Sequence, residues 1–312
     1  MNEVVQLRKL RDFGERIGDT MQFIKFNWLK LLGVYAVFVI PFLLVGIILG
    51  AYGFADFMTN SAGSLDAMKG LVSVKLIIAL LMFILSGASY TAAVYLYMDH
   101  YDKTNGIAPT ISELGKKFTR KFLSNVGYTI LAVTLIVLVG SFLALGFYFL
   151  KSAVFMLILM VPVGLIFGLF AMVYLSMMYP VNVFEGEKYK SVIGGTFHLL
   201  KGRWWFSVGY LLVLTIIFYF FSTVISGIVS LLFGLSAINM LDASGISRAG
   251  KSYAYVFGLT TLLQQVFYLV LFVGSGIHYY SITEEKAGAG LEQKIDQLGS
   301  ESKQENRNEE TW

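Results

Sequence analysis

Apolar residues fill six long stretches of this 312-residue chain, at about 29–53, 71–98, 126–150, 153–179, 206–234 and 253–281. Each meets the roughly 20 residues that a helix needs to cross about 30 Å of hydrocarbon. Polar, charged segments stand between them. Three of these carry a second pattern with a helical period. Leu7, Leu10, Ile17, Met21, Ile24 and Trp28 recur at three- and four-residue steps with charges between, and Ile111, Leu114, Phe118 and Phe122 do the same. Tyr189, Val192 or Ile193, Thr196, Leu200 and Trp204 form the third such stripe. One apolar stripe on a polar helix suits a helix lying in the membrane interface. The pattern predicts interfacial helices over about 4–27, 109–124 and 187–204. The predicted fold class is an all-α membrane protein: six transmembrane helices arranged as three repeats of an interfacial amphipathic helix plus a transmembrane hairpin.

The repeat has one internal marker. Gly33-Val34-Tyr35, Gly127-Tyr128 and Gly209-Tyr210 each lie about one turn into an odd-numbered span, spaced by 94 and 82 residues. The alternative is six unrelated spans with basic loops. The connections are expected to be a loop over 54–70, a tight turn at Lys151-Ser152 and a polar segment from Asn239 to Lys251. Residues 1–283 form one membrane domain, and 284–312 read as a polar, partly disordered tail.

Composition agrees with lipid as the main solvent. The chain is 56% hydrophobic and 14% charged, with mean hydropathy +0.69, against roughly 25% charged residues in soluble domains. No signal-peptide pattern stands at the start, so the first span is expected to remain as an anchor. Charge sets the orientation. Nineteen Lys and Arg residues fall before span one, between spans two and three, between four and five, and in the tail, against five on the other side. That imbalance predicts both termini in the cytoplasm. The basic residues sit beside spans and not in a nucleic-acid-binding run, so the expected partners are membrane lipids and membrane proteins.

Chemistry-bearing residues are sparse. There is no cysteine, which removes disulfides, thiolate metal sites and cysteine nucleophiles. His100, His198 and His278 are far apart and read as interfacial polar residues, so no metal site or cofactor is expected. Ser275 in Gly274-Ser275-Gly276 lies one turn before His278 on the same helix. A serine nucleophile needs its histidine facing it, so these small residues read as a close-packing motif. Span centres offer no carboxylate for ion coupling, and Gln264 and Gln265 suit either a bond between helices, the favoured reading, or the lining of a cavity. Pro41 and Pro162 are expected to kink their spans.

The stretch after span four has the most distinctive motif. Pro180, Glu185-Gly186, Ser191, Leu199, Lys201-Gly202-Arg203 and Trp204-Trp205 resemble a degenerate pattern, P-x-x-x-x-E-G followed by S-x-x-L-x-K-G-R-x-W. That pattern belongs to a broad family of bacterial integral membrane proteins which includes the membrane domain of membrane-anchored glycerophosphodiester phosphodiesterases. The runs 11–20 and 280–286 resemble a Bacteroidetes-type branch, sometimes mislabelled carotene monooxygenase. Three scattered histidines cannot supply the iron ligands that label requires. The phosphodiesterase barrel has no counterpart in these residues either, so hydrolysis is not expected. The resemblance implies a bacterial cytoplasmic-membrane protein without enzymatic activity. It would act as a scaffold or accessory subunit organising lipids or partners, or alternatively as a transporter or flippase for a lipid-like substrate. Candidate lipid or partner contacts are Lys201, Arg203, Trp204, Trp205, Glu185, Lys117 and Arg120.

Overall fold

The structure, a computed structural model, describes residues 4–60, 74–150, 161–186, 189–238 and 245–309. All regular structure among them is helical. Eight helices follow in order: α1 (Phe13–Phe38), α2 (Ile40–Asn60), α3 (Val74–Lys103), α4 (Ile111–Leu150), α5 (Val161–Glu185), α6 (Tyr189–Leu200), α7 (Trp204–Ile238) and α8 (Gly245–Glu309). Among the described residues, α3, α4, α5, α7 and α8 are each long and apolar enough to cross a membrane. Helices α1 and α2 pass the same test only together, as a pair bent by 54°. The chain is a multi-pass helical membrane protein.

The bend has a local cause. Pro41 has no N–H for the carbonyl four residues back, and its ring crowds that carbonyl. The helix breaks at Val39, and the Ser89 hydroxyl donates to the Phe38 carbonyl beside the break. Pro162 stands in the first turn of α5, where a missing N–H is harmless, and kinks nothing described. Pro180 does not end α5, which continues to Glu185.

Two of the expected interfacial helices are not separate elements. Residues 4–12 are extended coil. The helix then starts at Phe13 under an Asp12–Glu15 capping box and runs unbroken to Phe38. Residues 111–124 are the first turns of the 40-residue α4. At 1.5 Å per residue α4 is about 60 Å long, so it must extend well beyond the hydrocarbon. Nothing between Phe122 and Gly127 breaks a helix, so the stripe and the span fuse. Only the third, α6, stands alone, with Val192, Thr196 and Leu200 buried along one face. The polar tail is helical as far as Glu309. Helix α2 continues to Asn60, into the expected 54–70 loop, and α8 starts at Gly245, inside the expected 239–251 connection. Residues 61–70, the Lys151-Ser152 turn, residues 187–188 and residues 239–244 lie outside the described residues.

Helix α3 is the central pillar. Every residue from Ala88 to Asp99 is buried, on all faces of the helix. A helix buried all round must be surrounded, and α1, α2, α4, α5 and α8 pack around it. Small residues (Ala88, Ser89, Ala92, Ala93) let neighbours approach, and Tyr90, Tyr95, Tyr97 and Met98 fill the space between them. Their partners are aromatic: Tyr35 and Phe272 against Tyr90, Phe184 against Tyr95, Phe23 against Tyr97. The bundle centre at this end is filled. Tyr35, Tyr128 and Tyr210, the three repeat-marker tyrosines, are all buried. Toward the other end, apolar side chains such as Leu80, Leu81, Leu138, Ile166, Ile216 and Leu231 stand outward, as lipid contact requires.

Helix α8 meets its neighbours at the Gly274-Ser275-Gly276 step. A Cβ at Gly274 would lie 2.3 Å from Leu214 Cδ1, and one at Gly276 would lie 2.6 Å from the Met98 side chain. Close approach therefore explains both glycines. Gln264 donates to the Ser222 carbonyl and the Ser226 hydroxyl, joining α8 to α7.

Candidate functional site

The interior of this chain holds two arginines and a histidine. On α1 the buried residues are Arg16, Thr20, Phe23, Asn27, Leu31, Val34 and Tyr35. This face is offset by one residue from the expected stripe of Ile17, Met21 and Ile24, which packs against α7 and α5 instead. Helix α1 therefore does not lie flat in an interface. It is wedged between α3, α7 and α8, and half of its inner face is polar.

Arg16 is the hub. Its Nη1 lies 2.7 Å from His278 Nδ1, and its Nε donates to the Arg11 carbonyl at 3.2 Å. Its Nη2 lies 3.9 Å from Glu285 Oε2, and its guanidinium carbon sits 4.6 Å from the centre of the Phe206 ring. His278 completes the chain through Nε2, 2.9 Å from Ser207 Oγ, while Ser207 Oγ donates to the Arg203 carbonyl at 3.0 Å. Tyr210 stacks on the imidazole at 4.7 Å, and its hydroxyl donates to the Gly274 carbonyl at 3.1 Å. His278 is fully buried, so it is a core residue and not the interfacial one that sequence suggests.

A serine and a histidine within hydrogen-bond reach invite a nucleophilic reading, and the third member decides against it. A guanidinium carries only donors. His278 Nδ1 must therefore accept, which leaves the ring proton on Nε2. That proton points at Ser207, so the imidazole donates where a general base would have to accept. In a working triad a carboxylate accepts from Nδ1–H and stabilises an imidazolium. Here a cation stands in that place and opposes one. The arrangement orders α1, α7 and α8 and does not activate Ser207.

Arg11, one turn before Arg16, is equally committed. Its side chain is wholly buried and donates to Asp19 at 2.6 Å, to the carbonyls of Leu7 at 2.8 Å and Lys9 at 3.0 Å, to Ser281 Oγ at 3.4 Å and to the Gln6 carbonyl. Residues 4–12 have no ladder for their backbone groups, so side chains must supply the partners. Tyr101 accepts from the Val5 N–H at 3.2 Å, and Arg8 bonds Asp102 at 2.9 Å, which pushes the Arg8 guanidinium up from its usual value. The segment is a strap across the ends of α1, α3 and α8. A cleft of about 290 Å³ runs along it, lined by Val4, Val5, Gln6, Lys9, Asp19 and Gln22.

The motif after α5 also turns inward. Gly186 and Gly202 have φ of +70° and +82°, the left-handed conformation that ends α5 and α6 and favours glycine. Glu185 accepts from the Tyr279 hydroxyl at 2.8 Å. Arg203 pairs with Glu285. Two of the motif's three charged residues, Glu185 and Arg203, thus grip α8. Lys121 caps the end of α5, donating to the Asn182 carbonyl at 2.6 Å, and a buried Thr91–Asn125–Asn182 chain joins α3, α4 and α5. Among the other candidate contacts, Trp204 stacks on Phe170 at 4.7 Å, Trp205 is 78% exposed, and Lys201, Lys117 and Arg120 are exposed. The structure does not bring Lys117 and Arg120 together with the Lys201–Trp205 turn as one site.

Among the described residues, no group of three or more His, Asp or Glu side chains could hold a metal ion. Comparison with family models, curated proteins and solved structures finds no match to this chain.

Proposed function

We propose that this chain is a non-enzymatic six-span protein of the bacterial cytoplasmic membrane, a scaffold or accessory subunit that organises lipids or protein partners. The α1–α2 pair counts as the first span and α3, α4, α5, α7 and α8 as the rest, in three units that start at α1, α4 and α6. The equal burial of Tyr35, Tyr128 and Tyr210 supports that division. One observation carries the functional reading: the α3 pillar fills the bundle centre along Ala88–Asp99, Arg16 is spent on His278, and Arg11 on Asp19 and backbone carbonyls. A transport route needs polar groups facing a space, and a hydrolase needs a serine facing a free base. Membership of the broad family of glycerophosphodiesterase membrane domains is part of the same proposal, resting on the Glu185–Trp205 motif.

A second reading, a flippase for a lipid-like substrate, draws on three buried hydroxyls that lack partners among the described residues, on Ser86, Ser222 and Thr260. A lipid-scrambling assay separates the two. Purified protein in vesicles with a fluorescent phospholipid should leave the dithionite-protected fraction at the half expected for unassisted vesicles. Loss of that protected half would replace the scaffold with a flippase.

Orientation has its own test, made easy by the absence of native cysteine. With both termini cytoplasmic, Leu10→Cys and Trp205→Cys, both at exposed positions, should react with a membrane-impermeant maleimide in inside-out vesicles and not in intact cells. The reverse pattern would invert the topology.

A further inference from the structure

Most cations with described side chains fall into two sets. Arg8, Lys9, Arg11, Arg16, Lys103 and Arg203 each face a carboxylate of the protein, and Lys121 and Lys286 donate to backbone carbonyls. The second set, exposed and without an ion pair among the described residues, is concentrated on the first turns of α4, as Lys116, Lys117 and Arg120. The nearest acidic side chain on this turn, Glu113, is held in the helix cap by the N–H and hydroxyl of Thr110 at 2.7 and 2.8 Å.

What surrounds those cations fits one kind of molecule. Residues seven apart on a helix share a face. Seven residues beyond Lys116 stands Leu123, then Ile130, then Val137, and each is more than half exposed. Arg120 precedes Leu123 by three residues, a rise of about 4.5 Å. The face thus changes from cationic to apolar within one turn. On the other side of α4, Phe38, Phe118, Phe122 and Phe42 form a half-exposed ladder, with ring centres 4.4, 5.4 and 5.5 Å apart, that joins the helix to the α1–α2 bend and leaves the cationic face outward. An anionic head followed by an acyl chain matches this order of cations and apolar strip. We propose that the first turns of α4 bind an anionic phospholipid, with its phosphate against Lys116, Lys117 and Arg120 and a chain along Leu123, Ile130 and Val137. This rests on the lipid-organising reading above and moves its contact point. The Glu185–Arg203 motif is engaged with α8, and α4 carries the free charge.

The test is native mass spectrometry of the full chain in a neutral detergent, titrated with phosphatidylglycerol or phosphatidylcholine. Phosphatidylglycerol should be retained at least tenfold more strongly. Lys117→Gln/Arg120→Gln, at exposed positions, should abolish that preference, since each surface cation contributes about a factor of five. Lys25→Gln/Lys30→Gln removes two other exposed, unpaired cations and should leave it intact. Equal retention of both lipids overturns the site, as does an equal loss in the Lys25/Lys30 variant, which would mean general surface charge. Full displacement by millimolar inorganic phosphate overturns the lipid and leaves a free-phosphate site. Displacement by a co-purifying acidic protein overturns it in favour of a protein partner. Failure here leaves the scaffold reading standing, because that reading is tested by scrambling and not by lipid preference.

Discussion

Arg16→Ala should destabilise the protein by about 3 kcal/mol, a fall in melting temperature on the order of 10 °C in detergent. The loss has three sources. His278 Nδ1 keeps its lone pair but loses its only donor in a fully buried position. The Arg11 carbonyl loses the Nε bond. A cavity the size of a guanidinium opens beside Phe206. Arg16→Lys should recover little, because one ammonium cannot serve the separated positions of Nη1 and Nε. The distinguishing measurement is a double-mutant cycle. If Arg16 and His278 act as a unit, Arg16→Met with His278→Leu should cost less than the sum of the single changes by about 1–2 kcal/mol. Removing both partners leaves no orphaned group behind. Additivity within about 0.5 kcal/mol would show that the contact carries no coupling and that Arg16 acts through packing alone.

How far the sequence reveals such a site depends on the range over which its causes act. The bend at Val39 is legible because Pro41 acts on its own turn. The Gly274-Ser275-Gly276 packing step and the Gln264 bond are legible because small residues and amides inside an apolar run have few other uses. The arginines are different. Arg11 and Arg16 precede an apolar run, where a cation that reaches headgroups and one that folds inward look alike. What separates them is the partner: His278 lies 262 residues away and Ser281 lies 270 away. The inner face of α1 is hidden for a related reason. Arg16, Thr20 and Asn27 read as the polar side of an amphipathic helix, until Tyr210 and Tyr97 are seen to meet Thr20 and Asn27. The junctions between stripe and span escape a sequence reading too, since no residue in α1 or α4 marks where the interface ends. The exposed cations of α4 are legible as cations. That they stay unengaged as a dense group depends on the pairing of the arginines and lysines at the helix ends, such as Arg8, Arg11, Arg16 and Arg203.

Arg11→Gln should release the strap before it weakens the bundle. Residues 4–12 carry no regular structure, and a single guanidinium accepts the task of three carbonyls, those of Gln6, Leu7 and Lys9. Glutamine offers one short amide in place of that fork, so the strap should open more often than the helices do. A loss of roughly 2 kcal/mol in local stability raises the open population about thirtyfold. Trypsin reports it directly, because Arg8 and Lys9 lie within the strap. Cleavage there should accelerate at least tenfold in the variant, with opening and closing fast against cleavage. The melting temperature should move less than in Arg16→Ala, since the strap lies across the helix ends and Asp19 keeps a fifth of its side chain exposed to water. An unchanged cleavage rate would mean that Val5 on Tyr101 and Arg8 on Asp102 hold the segment without Arg11. A melting loss as large as that of Arg16→Ala would place Arg11 among the groups that hold the core, with the strap following it.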